Sequence, residues 1–212
     1  MHSLDPPRKI LAAALAALAG YVDAVGYLSA DRYFVSFMSG NTTRMGTDFA
    51  TARGSAVIPA LLIAGFVAGV AAGGVAAHLG GAFRKPAVLL LVTLLLAAGA
   101  ACAAAGLPPA MMACLVLAMG AINNTLQRNE SPLALTYMTG ALVRIGQSLA
   151  GIITRQRRDP AWPFLALWLA LAGGAATGAV LFEAAGPASL WIAVGVSALL
   201  TLAGLVLARQ RL

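Results

Sequence analysis

Six apolar runs of roughly twenty residues leave this chain few ways to fold. Each is close to the ~20 residues needed to cross about 30 Å of hydrocarbon at 1.5 Å per residue. They fall at Ile10 to Ser29, Ser55 to Leu79, Ala87 to Ala105, Ala110 to Gln127, Ala161 to Phe182 and Ser189 to Ala208. A soluble core would show alternation or narrow apolar stripes instead. Only 10% of the 212 residues are charged, against about 25% in soluble domains. The expectation is an all-α membrane protein, a single integral membrane domain in contact with the lipid bilayer.

The net charge of +7 does not point to nucleic acid, because the basic residues are scattered through short loops and chain ends with no aromatic-interleaved stripe. In membrane proteins positive charge reports topology. With six spans, eleven Lys and Arg fall on the side of the termini and three (Arg32, Arg44, Arg53) on the other. Both termini are therefore expected in the cytoplasm. The first run is read as a retained span rather than a cleaved signal, since it continues past Ala17-Leu18-Ala19. Cys102 and Cys114 lie in apolar stretches without a CxxC or nearby His, so neither a metal nor a disulfide framework is expected.

Two polar interruptions carry the functional signal. Phe34 to Gly46 reads FVSFMSGNTTRMG, and one hundred residues later Ala134 to Gly146 reads ALTYMTGALVRIG. The ungapped alignment pairs Ser36 with Thr136, Ser39 with Thr139, Gly40 with Gly140, Arg44 with Arg144 and Gly46 with Gly146. The same offset pairs Gly20 with Gly120, Asp23 with Asn123, and Ala72-Gly73-Gly74 with Ala172-Gly173-Gly174. Each half then reads span, polar segment, span, span, with repeat A at about 10–105 and repeat B at about 110–208. Three spans per half invert the second half, an arrangement that builds a midplane site in many secondary transporters. Full crossing by both polar segments would instead give eight spans and parallel repeats.

Irregular backbone at membrane depth needs protein or water to satisfy it. Gly40 and Gly140 can break a helix, and Ser36, Ser39, Thr42, Thr43, Thr136 and Thr139 can bond the freed groups, with Asn41 adding an amide. Re-entrant or broken helices meeting at the midplane would present polar ends, N-terminal ones favouring anions. Arg44 and Arg144 could clamp a carboxylate in bidentate fashion. Equally, each could pair locally, Arg44 with Asp48 at i,i+4, or snorkel to lipid phosphate. Asp23 sits inside the first span, where a carboxylate is a functional candidate by default. Proton coupling and a structural ion pair with an arginine of the polar segments are its two readings. Asn123 and Asn124 would be its polar partners. The small-residue ridges Gly65, Gly69, Gly73 and Gly174, Gly178 suit close helix packing within the fold, with a homodimer face as the second use. No nucleophile–base pair, HExxH, P-loop or haem motif occurs, so neither an enzyme nor a cofactor is expected.

Gly20-Tyr21-Val22-Asp23-Ala24-Val25-Gly26-Tyr27-Leu28 followed by Phe34-Val35-Ser36-Phe37-Met38-Ser39-Gly40-Asn41-Thr42-Thr43-Arg44 closely resembles the YoaK family. The likeness in length and span count covers the whole chain. Ser39 departs from the Thr that the family more often carries. The resemblance implies a bacterial cytoplasmic (inner) membrane protein with about six spans, and a transporter without an assigned substrate. The sequence-level expectation is a small secondary transporter or channel-like carrier. Its small polar or anionic solute would sit between the two polar segments. The alternative is a non-transporting scaffold that binds a lipid headgroup or a partner protein.

Overall fold

The computed structural model describes residues 6–51, 56–128, 131–132, 138–156 and 160–209. Eight helices appear among them: α1 (Pro6–Ser29), α2 (Met38–Ala50), α3 (Val57–Gly80), α4 (Arg84–Ala104), α5 (Pro108–Ala121), α6 (Met138–Ile153), α7 (Trp162–Ala185) and α8 (Leu190–Arg209). α1 is long and apolar enough to cross a bilayer, as are the α3–α4 and α7–α8 hairpins, each 48 residues. α5 is shorter and is extended by a 3-10 turn at Ile122–Asn124. The fold is all-α, with six spanning helices and two shorter ones, α2 and α6, where the polar segments lie. Many large apolar side chains stay exposed, among them Leu61 at 65%, Val180 at 68% and Leu199 at 66%. Such a surface suits lipid rather than water.

Helix directions follow from which residues touch. Gly174 and Gly178 of α7 lie on Ala17 and Tyr21 of α1, so these helices run parallel. Gly69 and Gly73 of α3 lie on Leu117 and Ala121 of α5, again parallel. α4 and α8 are antiparallel: Thr93 meets Ser197 and Thr201, whereas Pro86 and Leu89 meet Gly204. The 3-10 turns Gly81–Phe83 and Gly186–Ser189 reverse the chain after α3 and α7. Together these contacts put α1, α4 and α7 in one direction and α3, α5 and α8 in the other. The first half (α1, α3, α4) is thus inverted in the second (α5, α7, α8). Because α1 and α3 are antiparallel, the polar segment between them does not carry the chain across. That excludes the eight-span arrangement. α1 begins and α8 ends on the same face, called here the near face.

The register of the repeat differs from the one expected. Gly20 packs on the Leu171 carbonyl and the Ala175 amide, and Gly120 packs on the Phe66 carbonyl and the Val70 amide. Equivalent positions are therefore 100 apart in α1 and α5 but 105 apart in α3 and α7. Gly81 and Gly186 extend the larger offset, both left-handed at φ 49° and 58°. The true mates on the small-residue ridges are Gly69 with Gly174 and Gly73 with Gly178. The alignment of Gly73-Gly74 with Gly173-Gly174 is a coincidence of composition, since Gly173 meets no atom within 4 Å. The ridges Gly69, Gly73 and Gly174, Gly178 are used for packing inside the chain, which removes them as a dimer face. Extra residues in the second half enter after the polar segment; α6 has 16 residues where α2 has 13.

At Gly174 an added Cβ would overlap the Ala17 carbonyl oxygen, backbone that cannot step aside. Gly174→Ala is expected to destabilise by about 1–3 kcal/mol or more, the usual cost of overpacking. Gly173→Ala enters open space and should be neutral, or stabilise by up to about 1 kcal/mol through helix propensity. Thermal unfolding of the two variants in detergent checks the register, and equal effects would contradict it.

Candidate functional site

After α1 the chain turns through Asp31 and Arg32, two non-glycine residues with positive φ of 42° and 59°. It then runs back along α1, with Phe34 stacked on Tyr27 at 4.9 Å. The amides of Val35 and Ser36 both donate to Asp23 Oδ1, each at 2.8 Å. Asp23 lies six residues before the end of α1, so this return runs beside about the last two turns of that helix. α2 then starts at Met38 and leads back, because its Arg44 Nη1 donates to the carbonyls of Asp31 (2.5 Å) and Arg32 (3.1 Å). The Arg44 guanidinium also lies over the Tyr33 ring at 3.9 Å.

This hairpin is held by its own polar side chains. Asn41 is fully buried; its Oδ1 accepts from the Phe34 amide (3.1 Å) and its Nδ2 donates to the Phe34 carbonyl (2.7 Å). Gly40 has to lack a side chain, since a Cβ would press on the rings of Phe37 and Phe34. Those rings meet edge to face at 5.2 Å.

The starts of α2 and α6 meet at a cavity of about 600 Å³ between the two halves. Its lining pairs Asp23 with Asn123, Met38 with Met138, Ser39 with Thr139, and Phe66 with Leu171. The first three pairs are 100 apart and the last 105, the offsets of the structural repeat, so the cavity straddles the pseudo-twofold axis. Ser36, Phe34, Phe37 and Val70 complete the first-half wall, with Leu142 opposite. Asn124 lies beside it and donates to the Val70 carbonyl at 2.8 Å.

Of the expected site residues, Asp23, Asn123, Ser36, Ser39 and Thr139 reach this cavity. Gly40, Asn41, Thr42, Thr43, Arg44, Gly140 and Arg144 are not in its lining. Thr42 and Thr43 face outward and bond the Met38 and Ser39 carbonyls of their own helix (2.8 and 3.2 Å), which is how a threonine hides its hydroxyl on a helix. The two arginines lie apart, and neither is in the lining. Arg44 holds the turn after α1, and Arg144 lies over Phe164 at 5.4 Å, at the start of α7 on the opposite face. No Arg44–Asp48 ion pair forms among the described residues; a buried Asp48 oxygen has no hydrogen-bond partner. Asp23 is bonded to backbone amides rather than to an arginine. Thr136 falls outside the described residues.

Polarity alone does not single out the phenyl groups and thioethers of this lining. The Phe66–Leu171 pairing is also invisible at an offset of 100.

A family model described as "Protein of unknown function (DUF1275)" matches residues 11–203. The chain belongs to this family. It is also 40% identical over 202 residues to the UPF0700 transmembrane protein RA0705 of Rhizobium meliloti (strain 1021), covering 94% of this chain and 87% of that one. The family's description gives an unknown function and the relative's name a transmembrane protein, in line with what the resemblance of the motif implied. No solved structure matches.

Charge-assisted hydrogen bonds contribute about 1.5–3 kcal/mol. Arg44→Ala is expected to lose that much stability, measured by thermal unfolding in detergent. Arg44→Lys should recover only a fraction, because an ammonium can neither fork across two carbonyls nor stack on Tyr33 as guanidinium does.

Proposed function

We propose that this protein is a small secondary transporter or channel-like carrier for a polar solute, with its site in the midplane cavity. The observation that carries this reading is the coincidence of the cavity with the axis relating two oppositely oriented halves. A site on such an axis is reached by equivalent paths from both faces, which is the structural requirement for alternating access. In this reading α2 and α6 are re-entrant half-helices entering from opposite faces. Ser36, Ser39 and Thr139 supply hydroxyls to the solute, Asn123 an amide, and Asp23 a carboxylate able to bind a cation or exchange a proton.

The anionic preference expected from Arg44 and Arg144 loses its basis, since neither borders the cavity. Both help instead to anchor a half-helix to the face it entered from. Lys9, Arg84, Lys85, Arg144 and Arg209 gather toward the near face, whereas Arg32 and Arg44 lie at the other. By the positive-inside rule the near face is cytoplasmic, which supports a bacterial inner-membrane protein with both termini inside.

The scaffold alternative makes a different statement about access. Single cysteines at Ser39 and Thr139, in a background with Cys102 and Cys114 replaced by Ser, can be probed with a membrane-impermeant maleimide. Right-side-out and inverted vesicles expose opposite faces. Alternating access predicts labelling of each cysteine from both faces. Labelling of both positions from one face alone would contradict the carrier and favour a headgroup-binding scaffold.

A further inference from the structure

We propose that the solute of this site is an organic cation: an amine or quaternary ammonium compound with an apolar body. The inference rests on the midplane cavity being the transport site and names the chemistry that the site would select. Among the described residues, Asp23 is the one lining residue with a formal charge, and no Lys, Arg or His lines the cavity. The arginines that could oppose it are engaged elsewhere. Arg44 is bound to the Asp31 and Arg32 carbonyls and stacked on Tyr33, and Arg144 lies by Phe164 at the other face. The carboxylate is fixed in place by the two amides on Oδ1.

The rest of the wall suits the same ligand. Phe34, Phe37 and Phe66 line the cavity together with Asp23, and ring faces attract cations, most of all away from water. The thioethers of Met38 and Met138 add polarizable, adaptable apolar surface on either side of the axis. A mostly apolar wall with a few placed polar groups is what an amphiphilic organic molecule needs, and about 600 Å³ accommodates a body of several carbons. The starts of α2 and α6 pull in the other direction. A helix end, however, presents only about half an elementary charge, spread over several amides. An ionised Asp23 presents a full one at a single group. An acceptor atom on the cation's far end would meet the Ser39 and Thr139 hydroxyls.

The test compares benzyltrimethylammonium with phenylmethanesulfonate, which share a benzyl body and carry opposite charge. Binding to the purified full-length protein in a non-ionic detergent is measured by titration calorimetry for wild type, Asp23→Asn and Phe66→Leu. Asn at position 23 keeps an acceptor for the Val35 and Ser36 amides, and its repeat mate is already Asn123. Leu at position 66 copies its mate, Leu171. The ammonium is expected to bind the wild type at least about tenfold more tightly than the sulfonate. It should weaken about tenfold or more in Asp23→Asn and about threefold or more in Phe66→Leu. Sulfonate binding as tight as that of the ammonium overturns the proposal. So does ammonium binding that is undetectable in wild type or unchanged in Asp23→Asn. Proteoliposome uptake separates the two readings. Asp23-dependent ammonium binding without uptake upholds the cation site and overturns transport. Sulfonate uptake without ammonium uptake upholds transport and overturns the cation.

Discussion

Every backbone amide and carbonyl at membrane depth must find a partner, because hydrocarbon offers none. Helices meet that demand internally, so the six spans need only packing. The return between α1 and α2 cannot meet it internally, and its sequence is shaped by that shortage. Asp23 takes two amides, Asn41 takes both polar groups of Phe34, and Arg44 takes the carbonyls of a left-handed turn. Removing any one leaves donors or acceptors bare where each costs about 1–3 kcal/mol. The polar residues that mark this segment are therefore mainly the means by which a non-helical stretch beside α1 satisfies its own backbone. The cavity exists because that chain stops there and a helix begins.

This explains which parts of the site were legible in the sequence. Apolar run length gave the six spans to within a few residues, since the hydrocarbon sets that length. The repeated Met-(Ser/Thr)-Gly located the two helix starts that meet on the axis. The side chains after them were less legible, because polarity alone does not separate a residue that lines a cavity from one that bonds its own backbone. Thr42 and Thr43 bond carbonyls one turn back, and Asn41 is buried within the hairpin. The arginine match was real, yet inversion sends Arg44 and Arg144 to opposite faces. A motif repeated in an inverted half comes together only at positions near the axis, and the arginines lie six residues beyond Met38 and Met138.

The five-residue shift had a similar effect on the glycines. In a chain with 23 glycines, a double glycine recurs at almost any offset. A contact that only glycine permits is more informative: Gly20 on Leu171 and Gly120 on Phe66 report the true spacing through backbone proximity. The α4–α8 contact was not legible either. There Thr93 shares hydrogen bonds with Ser197 (2.7 Å) and Thr201 (3.1 Å) inside otherwise apolar spans. Each hydroxyl can also turn to a carbonyl of its own helix, as Thr93 does to Leu89 and Thr201 to Ser197. Nothing in one strand of sequence distinguishes that from an isolated threonine. Interhelical bonds of this type average about 0.6 kcal/mol, enough to orient the two halves without welding them.

The halves are alike in path and unlike in charge, and the difference has a physical consequence. Had both carried Asp at the position of Asp23 and Asn123, two carboxylates would border one cavity of low dielectric, and they would resist being ionised together. Asn123 keeps the geometry without that repulsion; its Nδ2 donates to the Met119 carbonyl at 2.9 Å. One half thus supplies the charge and the other a neutral frame of matching shape. The same division appears in the walls, where Phe66 faces the axis from the first half and Leu171 from the second. Inversion makes the two walls alike in path, whereas the departures from symmetry at 23/123 and 66/171 set the chemistry of the space between them.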